Sequence, residues 1–125
     1  MPFNYMSRNL TLNSLPSGLW KLGEEVIYEN GVIEIKVPKG TKTDLASIPD
    51  GLKWFISNDD RRIIRPAICH DFLYSKQHIK NRFFSREEAD LLFYEMLRVE
   101  GMHWFKARMM YYAVRLGGWM AWDND

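Results

Sequence analysis

Hydrophobic positions change their spacing near the middle of the chain, from alternation to a helical repeat. Within residues 18–40, the apolar residues Ile33, Ile35 and Val37 alternate with charged ones, which is typical of a strand with one buried face. Asn30-Gly31 precedes them and is a strong hairpin signal, because both residues tolerate a positive φ. We therefore predict an antiparallel hairpin in this part of the chain.

Helical signals dominate the second half of the chain. Pro66 suits the first turn of a helix, and the pattern after it predicts a helix that ends between Ser75 and Gln77. The segment Ser85-Arg86-Glu87-Glu88 has the form of a capping box, in which serine and glutamate side chains each bind a free backbone amide. It predicts a second helix that ends at Gly101.

A third helix is predicted from about His103 to Leu116. Helical spacing places Phe105, Met109 and Tyr112 on one face together with Leu116. Helical spacing also leads us to expect Trp104, Phe105 and the run Met109-Met110-Tyr111-Tyr112 in the core rather than at a ligand-binding surface.

The predicted fold class is α+β, with a small N-terminal antiparallel sheet packed on about three C-terminal helices. The length of 125 residues fits one domain. We divide it into an N-terminal arm (1–17), a hairpin (18–40), an irregular segment that could carry a site (41–65), helices (66–117) and a tail (118–125).

Charge and cysteine content restrict the classes of partner and compartment. Seventeen Lys and Arg balance 16 Asp and Glu, so the totals do not indicate a nucleic-acid partner. One cysteine, Cys69, cannot form an internal disulfide. We find neither a signal-peptide pattern at the N-terminus nor an apolar window of membrane-spanning length, so we expect a cytosolic or particle-associated protein rather than a membrane protein.

The segment ICHDFLYS carries the candidate chemistry. On a helix, His70, Asp71 and Tyr74 fall within one arc of roughly 100°. Asp90 lies one turn into the capped helix, beside the apolar stripe, where an unpaired carboxylate would be costly. If the two helices pack antiparallel, Asp90 can reach His70 or Tyr74. An aspartate bound to one imidazole nitrogen leaves the other nitrogen as a general base.

Two alternatives stay open for these residues. The His70, Tyr74 and Asp90 side chains could form a satisfied internal network that only joins two helices. Asp44 and Asp71, together with His70 and Asp90, could instead hold a divalent cation, because carboxylates suit hard metals.

Several motifs together resemble a family of short bacteriophage and prophage proteins classed as a domain of unknown function. The motifs, in chain order, are TDLASIP (43–49), HDFLY (70–74), Ala89-Asp90 with Phe93, and RMMY (108–111) with AVR (113–115). The resemblance extends over about residues 20–117 and implies a phage origin. It implies no agreed activity.

A second, local resemblance is to the calcium-dependent secreted and parvoviral phospholipases. It rests on His-Asp-x-x-Tyr on one helix and an aspartate on the next. It implies that His70 is the general base, that Asp71 binds calcium, and that Tyr74 and Asp90 support the histidine. Those enzymes have a glycine-rich calcium loop upstream, whereas TDLASIPDGL contains one glycine. Either Asp44 and nearby carbonyls replace that loop, or no calcium binds.

These observations lead to two hypotheses for function. The first is a phage-encoded hydrolase-like protein with catalytic residues His70, Asp90 and Tyr74, and with calcium or another divalent cation on Asp71 and Asp44. Its substrate would be a lipid ester or another envelope component. The second is a non-enzymatic virion, tail or host-takeover protein with a structural network. Its partners would be other virion proteins or a host protein, in the virion or the host cytoplasm.

Overall fold

Short strands followed by helices make up the part of the chain that the computed structural model describes, namely residues 4–17, 19–43, 61–76, 78–79 and 82–117. The strands are β1 (Tyr5–Met6), β2 (Leu12–Ser14), β3 (Trp20–Leu22), β4 (Val26–Glu29), β5 (Glu34–Val37), β6 (Lys42–Thr43), β7 (His78–Ile79) and β8 (Arg82–Phe83). A 3₁₀ turn at Arg61–Ile63 leads into α1 (Ile64–Ser75), followed by α2 (Arg86–Val99) and α3 (Trp104–Gly117). The predicted α+β class is confirmed.

The strands of the N-terminal half form two antiparallel three-stranded sheets. The first has the order β1-β4-β5 and the second the order β2-β3-β6. β7 and β8 form a separate two-stranded ribbon between α1 and α2. The prediction of a single small sheet therefore needs refinement, since the sequence pattern indicated only the β4-β5 hairpin.

The predicted hairpin at Asn30-Gly31 is present. Val26 pairs with Val37 and Tyr28 with Ile35, and all four side chains are buried on one face of the sheet. The Asn30 side-chain oxygen accepts hydrogen bonds from the backbone amides of Val32 and Ile33, at 3.0 and 2.8 Å. Gly31 has a φ of +88°, which other residues adopt at a cost. The turn residues and the alternation therefore specify the same register.

The N-terminal segment 1–17 was expected as an arm. Its described residues contribute one strand to each of the two three-stranded sheets. β1 pairs with β4 at the edge of the first sheet, and β2 pairs with β3 in the second. Arg8 also donates from Nη2 to Glu100 Oε1 at 2.7 Å, which ties this segment to the end of α2. These short strands lack a clear period, so their pairing is not visible in the sequence pattern.

Helix α1 is buried on two sides and forms the middle layer of the domain. Ile68, Cys69 and Leu73 pack with the sheet residues, whereas Ala67 packs with residues of α2 and α3. Burial and the nearby Glu100 carboxylate raise the pKa of the Cys69 thiol to about 12. Pro66 is the third residue of α1, where its missing amide proton costs no helical hydrogen bond.

The capping box of α2 forms as predicted. Glu88 N donates to Ser85 Oγ at 3.1 Å, and Ser85 N donates to Glu88 Oε1 at 3.5 Å. The helix ends before Gly101, whose φ of +95° matches the predicted stop. This well-defined start fixes which side chains of α2 face α1.

The prediction for α3 is wrong in its orientation. The side chains that face the core are Ala107, Met110 and Val114. The predicted face of Phe105, Met109, Tyr112 and Leu116 is exposed to solvent, and so is Trp104, whereas Met110 is buried as expected. Both faces have helical spacing, and the face of Ala107, Met110 and Val114 is the one that packs in a buried cluster with residues of α2 and the start of α1.

Some predictions concern residues outside the described ranges. Asp44, most of the segment 41–65, and the tail 118–125 with Trp119 and Trp122 are among them. Of the helices that the structure does describe, none is long and apolar enough to cross a membrane.

We predict that Leu73→Ala lowers the free energy of unfolding by about 2–5 kcal/mol, because the side chain is fully buried and its removal leaves a cavity. Leu116→Ala is the matched control, since Leu116 is 81% exposed, and we expect a change within about 0.5 kcal/mol. Urea unfolding followed by circular dichroism measures both. Equal losses in the two variants would contradict the packing described above.

Candidate functional site

Asp90 lies at the centre of the three helices and its side chain is fully buried. The capping box fixes the start of α2, and Asp90 follows on the face that also carries Ala89 and Phe93. A buried carboxylate needs hydrogen bonds or opposite charges, because its charged form is poorly solvated there. The structure supplies both.

Two side chains of α1 bind the same oxygen of Asp90. His70 Nε2 lies 2.6 Å from Asp90 Oδ1, and the Tyr74 hydroxyl donates to that oxygen as well. His70 and Tyr74 are four residues apart, so one turn of α1 presents both to α2. The expected contact between Asp90 and the HDFLY helix is therefore present, with both candidate partners engaged.

Two arginines approach the second oxygen of Asp90. Arg115 Nη1 from α3 donates to Asp90 Oδ2 at 3.0 Å, and Arg86 Nη1 lies 3.8 Å from the same oxygen. Arg86 also donates to the carbonyls of Val114 and Arg115, at 3.4 and 3.1 Å, near the C-terminal end of α3. One carboxylate thus connects all three helices.

The sequence pattern did not assign these arginines to Asp90. Arg86 lies four residues before Asp90 on the same helix, a spacing that brings side chains together and could have identified the pair. Arg115 has no such local signal, because its position depends on how α3 packs across α2.

The His70 ring is held between two aromatic rings. Its centroid lies 4.2 Å from that of Tyr74 and 4.8 Å from that of Phe93. The side chain keeps 10% of its surface exposed. Because Nε2 faces Asp90, the second nitrogen, Nδ1, is the one that a reacting group could use. An Nε2–H bonded to the carboxylate would leave Nδ1 as the basic nitrogen.

Hydrogen bonds and burial act in opposite directions on the pKa of Asp90. Burial alone would raise it, but the hydrogen bonds from His70, Tyr74 and Arg115 lower it on balance. The pKa of Tyr74 is raised well above its ordinary value by burial and by the carboxylate it binds. The pKa of Arg115 is raised by its bond to Asp90. Asp90 is therefore an ionised acceptor and Tyr74 a neutral donor.

Asp71 faces a different part of the molecule from His70. Thr43 Oγ1, at the end of β6, donates to Asp71 Oδ2 at 3.2 Å. Both residues line a pocket of about 640 Å³ between the sheets and α1, to which Tyr74 also contributes. The remaining lining consists of Leu19, Pro38, Thr41, Lys42, Ile68, Phe72, Ser75 and Lys76.

A metal site is not complete within the described residues. In these ranges, no three His, Cys, Asp or Glu side chains are grouped so that they could hold a metal ion. Asp44, the other candidate ligand, follows Thr43 in the chain and lies outside the described residues. The structure thus brings together His70, Tyr74 and Asp90 and places Asp71 at the neighbouring pocket.

Comparison with known proteins identifies relatives whose functions are not established. Residues 20–114 match the family described as protein of unknown function DUF1353. An uncharacterized protein, y4iH, from Sinorhizobium fredii strain NBRC 101917 / NGR234 is 35% identical over 77 residues. The match covers 61% of this chain but 30% of that protein, so the chain spans less than a third of this relative. No solved structure shows a significant match.

We predict that Asp90→Asn lowers the free energy of unfolding at neutral pH by about 1–3 kcal/mol, because it removes the carboxylate that accepts hydrogen bonds from His70, Tyr74 and Arg115. The folded-state pKa of Asp90 lies below its ordinary value of 3.8. Its stabilising contribution is therefore fully present above that value and is lost as the pH falls through the folded-state pKa.

The difference between wild type and Asp90→Asn should accordingly shrink below about pH 4. Urea unfolding at a series of pH values measures it. Glu87→Gln, which changes an exposed carboxylate of the same helix, is the control and should show a small difference at every pH. A pH-independent difference for Asp90→Asn would contradict the ionised assignment.

Proposed function

The chain belongs to the DUF1353 family of proteins of unknown function, and we propose that it is a phage-encoded hydrolase-like protein that activates water with His70 and Asp90. The observation that carries this proposal is the 2.6 Å contact between His70 Nε2 and Asp90 Oδ1. A buried, ionised aspartate fixes the orientation and tautomer of a histidine, which is what a general base requires.

The two ring nitrogens of His70 have different roles in this mechanism. Nδ1 accepts a proton from water as the water oxygen attacks the carbonyl carbon of an ester. Asp90 stabilises the imidazolium that forms, and the same proton then passes to the leaving alkoxide. Tyr74 donates to Asp90 and packs on the ring, so it is a positioning residue in this scheme.

The pocket beside α1 supports an apolar substrate. Leu19, Pro38, Ile68 and Phe72 provide much of its lining. Such a surface suits an acyl chain, since apolar contacts dominate in small-molecule pockets and a few polar groups orient the ligand. His70 and Asp90 do not line this pocket, and Tyr74 is the lining residue that also binds Asp90. A lipid ester or another envelope component is the proposed substrate class.

The proposal includes calcium or another divalent cation on Asp71 and Asp44. Asp71 contributes a partly exposed carboxylate at the pocket wall, held by Thr43. A bound cation would polarise a carbonyl oxygen of the substrate. The position of Asp71 in the pocket lining supports its choice as a ligand in this proposal.

A second candidate function is favoured by the arginines. Asp90 is bound by Arg115 and approached by Arg86 in addition to His70 and Tyr74, which is more than a catalytic pair needs. In this alternative, the network holds the helices of a non-enzymatic virion, tail or host-takeover protein. Its partners would be other virion proteins or a host protein.

We predict that His70→Gln lowers ester hydrolysis by about 10²–10⁴-fold, because glutamine can still donate to Asp90 but cannot act as a base. Tyr74→Phe is the matched control, since it also removes one donor to the same oxygen, and it should retain activity within about tenfold. A p-nitrophenyl ester and phosphatidylglycerol vesicles serve as substrates, and thermal unfolding checks that both variants fold. Folded wild type without hydrolysis of either substrate would favour the non-enzymatic alternative.

The metal part of the proposal has its own test. Calcium should raise the thermal midpoint of the wild type by a few degrees and leave that of Asp71→Asn unchanged, because a ligand that binds only the folded state stabilises it. Glu87→Gln removes an exposed carboxylate elsewhere and should respond like wild type. If calcium, magnesium and manganese all leave the wild-type midpoint unchanged, the cation assignment to Asp71 fails while the His70 assignment still stands.

A further inference from the structure

Helix α3 is apolar on two opposite faces. Ala107, Met110 and Val114 are buried against the other helices. On the other side, Phe105 is 57% exposed, Met109 38%, Tyr112 52% and Leu116 81%. We call these four exposed residues the α3 seam. At about 100° per residue they fall within an arc of roughly 60°, centred opposite the buried face.

The seam has the spacing of a coiled-coil contact. Its members are separated by four, three and four residues, which is the alternating a and d pattern of a heptad repeat. Surface helices of globular proteins usually present polar side chains outward. Four large apolar side chains in one row on solvent are therefore a sign of an interaction surface.

The charged residues beside the seam all have one sign. Lys106 lies on one side, and Arg108 and Arg115 lie on the other. α3 contains no acidic residue. Arg115 is already bound to Asp90, whereas Arg108 is exposed and lies over the Trp104 ring. In coiled coils, the residues that flank the apolar positions determine the partner and its orientation.

This charge pattern favours some binding partners of the α3 seam over others. A second copy of α3 would bring lysine and arginine side chains opposite each other, which is repulsive. A helix with glutamate or aspartate in the flanking positions would meet opposite charges. Single-stranded nucleic acid fits less well, because Met109 and Leu116 have no ring on which a base could stack.

We propose that the α3 seam docks an amphipathic helix of another protein, with apolar residues at the heptad spacing and acidic side chains beside them. The site is separate from the proposed hydrolase residues, and it holds whether or not the chain is an enzyme. The apolar row supplies most of the affinity, and Arg108 selects an acidic partner.

The test uses the full chain and two designed, fluorescently labelled helical peptides of about three heptads. Both peptides have leucine at a and d; one has glutamate in the flanking positions and the other has lysine. Fluorescence anisotropy should show binding of the glutamate peptide at least about tenfold tighter than that of the lysine peptide. Arg108→Glu should weaken the glutamate peptide by about tenfold and improve the lysine peptide.

Phe105→Ser with Leu116→Ser should abolish binding of both peptides while the thermal midpoint stays close to that of wild type, because both side chains are exposed. Equal binding of the two peptides by wild type would overturn the charge selection. A wild-type dimer in sedimentation that the seam variant loses would show that a second copy covers the seam. An oligonucleotide that the seam variant no longer binds would show a nucleic-acid partner. At least about tenfold tighter peptide binding after deletion of residues 118–125 would show that these residues of the same chain compete for the seam. Each of these would overturn the proposal.

Discussion

The buried carboxylate of Asp90 is the constraint on which the helical half of the molecule depends. Its charge is compensated by His70 and Tyr74 of α1, Arg115 of α3 and the nearby Arg86 of its own helix. A shift of α1 or of α3 would remove part of the hydrogen bonding and charge compensation of this buried carboxylate, which is unfavourable. The network therefore favours the mutual arrangement of the three helices in which all of these contacts are made at once.

Helix α1 connects this network to the sheets. Its sheet side carries Ile68 and Leu73, and its α2 side carries His70, within the same three turns. Tyr74 belongs to both environments, because its hydroxyl binds Asp90 while the residue also lines the pocket beside Thr43. Any ligand in that pocket would therefore lie one side chain away from the charged centre.

Local signals made the hairpin, the capped helix and the contact between Asp90 and the HDFLY helix predictable. Asn30-Gly31 and Ser85 with Glu88 act over a few residues, so their structural meaning does not depend on the rest of the fold. The second sheet was not predictable, because its strands, Leu12–Ser14, Trp20–Leu22 and Lys42–Thr43, are too short to show a period. The pairing of the last two strands also joins distant parts of the chain. The orientation of α3 was mistaken for a related reason: both of its faces are apolar, and periodicity cannot tell which one the core accepts.

The reactivity of the Cys69 thiol can report local opening of the domain, because this is the single cysteine of the chain. Cys69 is fully buried between α1 and the sheet, and its raised pKa keeps it protonated at neutral pH. Thiol reagents attack the thiolate, so alkylation must wait until α1 separates from the sheet. The rate of labelling under native conditions thus measures the opening of the middle layer, without any engineered probe.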